Sequence, residues 1–119
     1  MKNKKIETIC FDLDGVICLT KKNNYKLSKP IKKNINFINK LYKKYKIIIF
    51  TSRFMGRNND VQKKAVKQGY RFTKSQLKKW KLNYSKLILG KPSYDIYIDD
   101  KNLGFKYNWI GDLKKKIKI

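Results

Sequence analysis

The stretch "FDLDGVIC", Phe11–Cys18, decides how this chain is read. It follows an apolar, β-branched run, Ile6–Phe11, that has the composition of a buried strand. It then places Asp12 and Asp14 one residue apart, ahead of Gly15. The chain has 31 Lys+Arg against 8 Asp+Glu, a formal charge of +23, so two adjacent carboxylates beside the core need a reason. In an extended segment, side chains at i and i+2 point the same way, so Asp12 and Asp14 are expected to act on one point.

Working outward, the pattern alternates between strands and helices. Residues 15–28 lack periodicity and read as a loop. Ser28 is a candidate helix cap with Pro30 in the first turn, and Ile31, Ile35, Ile38, Leu41 or Tyr42, and Tyr45 recur at helical spacing. "KIIIF", 46–50, is a second buried strand, and "TSRFMGRNND" after it is a loop. Val61 and Ala65 suggest a short helix stopping at Gly69, and "TKSQ", 73–76, reads as a capping box opening another with Leu77 and Trp80. "KLIL" and "DIYI" read as third and fourth strands, and helical turns are expected from Asp112. This order argues an α/β fold with a mainly parallel central sheet. Chemistry in such sheets gathers at the carboxyl ends of the strands, where Asp12, Thr51, Lys91, Asp99 and Asp100 fall.

A length of 119 residues fits a single domain over 1–119, and 41% hydrophobic content excludes a disordered chain. The densest apolar runs are strand-sized, which argues against a membrane span. Glu7 and Asp12 interrupt the apolar region a signal peptide would need, so a cytoplasmic location is expected. Cys10 and Cys18 fit no metal spacing and are too few for a disulfide framework. The positive charge is nearly all lysine spread through the chain, with three arginines, Arg53, Arg57 and Arg71. Nucleic-acid readers concentrate charge and favour Arg, so a solvated lysine coat is the preferred reading and a nucleic-acid partner the lesser one.

Each acidic or polar motif alone reads as a turn or a cap. Together they read as a site. Four of the eight carboxylates, Asp12, Asp14, Asp99 and Asp100, fall at the ends of two apolar strands. Like charges gathered in this way call for a cation, and oxygen donors with no histidine in the chain point to Mg²⁺. Lys91 and Thr51 offer a phosphoryl group a charge and a hydroxyl donor.

In these four motifs, in this order, the chain resembles the haloacid dehalogenase-like (HAD) superfamily of phosphohydrolases. "ICFDLDGVI", "IIIFTSR", "GKPSYD" and "IYIDDKN" carry the resemblance over residues 9–103. It implies a three-layer Rossmann-like domain. It further implies that Asp12 is the nucleophile, Asp14 the general acid and base, and Thr51 and Lys91 the phosphoryl-binding pair. Asp12, the Asp14 carbonyl and Asp99 would hold Mg²⁺, with Asp100 assisting. The gaps between motifs leave no room for a cap domain, so the resemblance is to small capless members. These act on large substrates or close their site by forming a homo-oligomer. Through "TSRFMGRN" and the stretch Leu77–Phe105 the chain is also similar to proteins encoded with capsular or surface-polysaccharide biosynthesis genes. A phosphomonoester hydrolase acting on a sugar phosphate or related metabolite is the leading expectation. A nucleic-acid end phosphatase and a non-catalytic basic binding module are the alternatives.

Three residues beside Thr51 are candidates for substrate contact: Ser52, Arg53 and Arg57. The two arginines could clamp a second anionic or hydroxyl-rich group. With equal weight, Arg53 could instead pair with the acidic cluster or cap a helix.

Overall fold

The computed structural model describes residues 5–117. Three strands form a parallel sheet in the order β1 (Thr8–Phe11), β4 (Lys46–Thr51), β5 (Lys86–Leu89). Ile9 sits opposite Ile47, and Ile49 opposite Leu87, so the apolar positions of the three strands lie side by side. β4 is the middle strand. Ile47 and Ile49 are fully buried on one face and Ile48 and Phe50 half-buried on the other, which accounts for "KIIIF" being a continuous apolar run rather than an alternating one.

Between β1 and β4 the chain makes a small antiparallel hairpin, β2 (Cys18–Leu19) with β3 (Lys29–Pro30), and then helix α1 (Lys32–Tyr42). The helix starts later than its sequence suggests. Lys29 and Pro30 pair with β2, and Ile31 N–H donates to the Ile17 carbonyl at 2.8 Å, so helical dihedrals begin only at Lys32. Ser28 is therefore not a helix cap; its hydroxyl faces Thr20 and Arg53. α1 buries Ile35, Phe37, Ile38 and Leu41 and turns its lysines to water.

The two helices expected between residues 61 and 80 are one. α2 (Gln62–Lys79) runs unbroken through Gly69 and Thr73. Ala65, Gly69, Thr73 and Leu77 are all buried at four-residue spacing, so a single face packs inward. Gly69 does not end the helix. It leaves space for the Phe54 ring, which a Cβ there would strike. Thr73 does not cap; its hydroxyl is buried with no hydrogen-bond partner among the described residues.

α3 (Trp109–Lys116) begins one turn earlier than expected. Trp109 anchors it, standing edge-on to Phe11 at 5.9 Å and to Phe37 at 5.7 Å. The segment "DIYI", 95–98, is not a strand. It is irregular, with Ile96 and Ile98 79% and 91% exposed. Its alternation satisfies the strand pattern, but the tyrosines on either side of Ile96 are drawn elsewhere. Tyr94 and Tyr97 stack on each other and surround the Lys91 ammonium at 5.2 and 5.0 Å. Among the described residues no strand pairs with the outer edge of β1. No described helix is long and apolar enough to cross a membrane.

Candidate active site at the carboxyl ends of the strands

The site starts where β1 stops. Leu13, directly after Asp12, is fully buried, and its carbonyl accepts from Ile17 N–H at 2.8 Å. Gly15 completes this turn at φ +90°, a conformation that costs glycine little and other residues much. Asn34 on α1 braces the turn by donating to the Val16 carbonyl at 2.7 Å. Asp12 and Asp14 are thus held on a fixed loop, with the buried Leu13 between them.

Asp12 accepts from Leu13 N–H at 2.8 Å and faces Lys91 Nζ at 3.8 Å. Loss of water around the Asp12 carboxyl pushes its pKa up, an effect that Lys91 and the Leu13 N–H oppose and the charge of Asp14 reinforces. Lys91 is placed by backbone. The Thr51 carbonyl, at the end of β4, accepts from both Gly90 and Lys91 N–H at 3.2 Å. Burial alone would lower the Lys91 pKa. The Tyr94 hydroxyl and the Asp12 charge outweigh it, and the net direction is upward. Thr51 is 1% exposed, and its hydroxyl oxygen accepts from Arg53 N–H at 3.1 Å, leaving its own proton to donate.

Asp14 has a different environment. Arg53 Nε reaches its Oδ2 and Arg53 NH2 its Oδ1, each at 2.9 Å, in a bidentate pair. Thr20 also donates to Oδ1. The Arg53 side chain is 0% exposed while that of Asp14 keeps 27% of its surface. Arg53 therefore does not reach out to a substrate, as one of its two expected roles required; it pairs with the acidic loop, as the other did. Arg57 is exposed, lies over the Tyr25 and Phe54 rings and donates to the Asn23 carbonyl at 3.1 Å. It ties the hairpin loop to the segment after β4. Ser52 is half-buried beside Thr51.

Asp99 and Asp100 stand on an exposed turn. Lys101 N–H donates to Asp99 at 3.0 Å, and with the Asp100 side chain and the Tyr97 hydroxyl this holds Asp99 below the usual carboxylate range. The turn lies near the outer edge of β1, close enough for the charge of Asp99 to act on the Cys10 thiol. The pKa of that thiol is raised by shielding from water, then by Asp12 and Asp99, against the pull of Lys91. Cys10 and Asp12 share one side of β1. Cys18, by contrast, is buried against Asp14 and Arg53, and burial together with the Asp14 charge pushes its thiol to about 11. Neither cysteine has the lowered pKa of a nucleophile.

The fold thus brings Asp12, Asp14, Thr51, Arg53 and Lys91 to one sheet end and leaves the Asp99–Asp100 turn beside it. Among the described residues no three metal-binding side chains are gathered into one cluster. The donor chemistry, all oxygen, suits Mg²⁺. The ligands on offer would be Asp12, the 99–100 turn and the backbone carbonyl of Asp14, since the Asp14 carboxylate is engaged by Arg53.

No family model matches the chain, and no curated protein matches it. Among solved structures, the chain is similar to the crystal structure of an MCSG target from Vibrio cholerae. The TM-score is 0.77 at 21% identity, covering 93% of this chain and 98% of that one. The two share a fold over nearly their whole length.

Proposed function

We propose that the chain is a capless HAD-type phosphomonoester hydrolase, dependent on Mg²⁺, acting on a sugar phosphate or related metabolite of polysaccharide or nucleotide-sugar metabolism. One observation carries this reading. Asp12, Thr51 and Lys91 come from or just after three adjacent parallel strands and meet at one end of the sheet, with Lys91 Nζ 3.8 Å from Asp12 Oδ1. A carboxylate, a hydroxyl donor and an ammonium at that spacing can attack and hold a phosphoryl group. The three-layer HAD arrangement, with a strand from the 95–98 segment, belongs to this same proposal.

In this reading an Asp12 oxygen attacks phosphorus. The bond to the leaving oxygen breaks, and the phosphoryl group rests on Asp12 as an acyl phosphate. Lys91 and Thr51 balance the charge on its oxygens. Asp14 would give a proton to the leaving oxygen and then take one from the water that releases phosphate, through the Oδ2 lone pair that Arg53 leaves open. The second step regenerates both carboxyls. Mg²⁺, held by Asp12, the Asp14 carbonyl and Asp99 with help from Asp100, would offset repulsion between the carboxylate and the phosphate. The hairpin β2–β3 borders the site through Thr20 and Ser28, which contact Asp14 and Arg53. A homo-oligomer closing the remaining side accords with that reading.

The test is a panel of phosphomonoesters with Mg²⁺, comparing the wild type with Asp12→Asn. Turnover that survives in the variant would remove the nucleophile assignment. Turnover confined to oligonucleotide ends, with steep loss between low and moderate salt, would replace the sugar-phosphate reading with end processing of nucleic acid. Absence of turnover on every substrate would leave a binding module.

A further inference from the structure

We propose that Arg53 is a positioning residue that makes closure of the β2–β3 hairpin and orientation of Asp14 a single event. The role given to Asp14 in this proposal rests on the phosphatase reading; the coupling itself does not.

Arg53 reaches three parts of the fold at once. Nε and NH2 take both oxygens of Asp14 at 2.9 Å. NH2 also donates to Ser28 Oγ at 3.2 Å, directly before the return strand of the hairpin. NH1 donates to Gln76 Oε1 at 2.7 Å, and Gln76 Nε2 passes the contact on to the Tyr25 carbonyl at 2.7 Å. The guanidinium lies 4.6 Å from the centre of the Tyr25 ring. From the other side, Thr20 of the hairpin loop bonds both Asp14 and Ser28. Asp14 is therefore held from two directions, and both lead to the hairpin.

The energetics favour coupling over independent contacts. A fully buried guanidinium without its anion is strongly disfavoured, so the hairpin cannot lift Ser28 and Tyr25 away without rearranging what holds Asp14. Networks of this kind respond as a unit. The bidentate geometry also fixes the plane of the Asp14 carboxyl, which a lysine cannot do. A carboxyl that must give and take a proton at one point benefits from that fixed plane.

The experiment is amide hydrogen exchange on the full chain, with variants Arg53→Met, Arg53→Lys, Asp14→Asn and Ser28→Ala, read beside the Asp14 carboxyl-carbon NMR signal. Arg53→Met should speed exchange across residues 19–29 by about tenfold or more, the effect of losing a charge-assisted hydrogen bond, while β4 amides stay protected. Asp14→Asn should loosen the same hairpin amides, and Arg53→Lys should restore part of the protection. Wild-type hairpin exchange in either Arg53→Met or Asp14→Asn overturns the proposal. If Arg53→Met loses protection throughout, Ser28→Ala decides. A shift of the Asp14 carboxyl signal supports coupling, and an unmoved signal overturns it. In turnover assays Arg53→Lys should lower kcat about tenfold with KM within roughly threefold. A change in KM alone would make Arg53 a substrate clamp instead. Activity that survives Asp12→Asn, or no activity in the wild type, would remove the phosphatase reading while the exchange result still decides the coupling.

Discussion

Lys91 and Asp12 face each other across the end of β4 at 3.8 Å, although one follows β5 and the other follows β1. The Thr51 carbonyl fixes this meeting by holding Gly90 and Lys91 N–H. Lys91→Met should therefore lower kcat/KM on a phosphomonoester by about 10²–10³-fold, the range for loss of one pre-organised charge donor. Stability adds a second readout. The Lys91 pKa is raised in the fold, so the stability it contributes is complete below the ordinary lysine value and is lost as pH rises through the raised one. Alkaline melts should show that loss in the wild type and not in Lys91→Met.

Asp12 follows the same pH direction for a different reason. Its folded pKa is raised chiefly by desolvation, so folding makes its ionised form costlier than it is in the unfolded chain. The stability linked to its proton is present below the ordinary aspartate value and lost as pH rises through the raised one. Asp12→Asn should abolish turnover yet raise the melting temperature at pH 7. The gain should be a few degrees at most, because 37% of the Asp12 side chain stays exposed. It should vanish on acidification. Paired thermal melts at pH 7 and near pH 3 check this, and a melting temperature that falls at pH 7 contradicts it.

Magnesium binding should depend on the exposed turn and leave the fold untouched. Asp99→Asn removes a carboxylate whose partners are local, Lys101 N–H and the Tyr97 hydroxyl, so its melting temperature without metal should match the wild type. Its affinity for Mg²⁺ by calorimetry should fall about tenfold or more. Chelation should stop turnover in the wild type. Equal Mg²⁺ affinity in Asp99→Asn would place the ion elsewhere.

Thr73→Val should stabilise the chain by roughly 1 kcal/mol, read by urea melts. The Thr73 hydroxyl is buried without a partner, so replacing it with a methyl removes a desolvation cost and keeps the shape. Destabilisation would mean that the hydroxyl has a partner after all.

Much of this fold can be read from residue order. β4 is legible because four apolar positions run together before Thr51, and β1 because Phe11 ends an apolar run against Asp12. The meeting of Asp12, Thr51 and Lys91 follows from strands laid side by side. Arg53 is different. A basic residue is placed in water by default, and nothing local in "TSRF" says that Asp14, 39 residues earlier, will bury it. Gly69 and Thr73 misled in the same way. Their local preferences are a helix stop and a cap, and packing against Phe54 and the sheet overrode both. "DIYI" has the strand pattern but spends its neighbouring tyrosines on the Lys91 ammonium.

Gly69 leaves a notch in α2 that the Phe54 ring fills, and Phe54 itself is held at φ +67°, directly after Arg53. The back of a helix and the residue that grips Asp14 are thus parts of one mechanical seam. A methyl group added at position 69 would push the ring, and the ring would turn the backbone that carries the guanidinium. Variation at a buried glycine could then retune the site without altering a single reacting group. A search for temperature-sensitive alleles would be expected to find this position before it found any of the carboxylates.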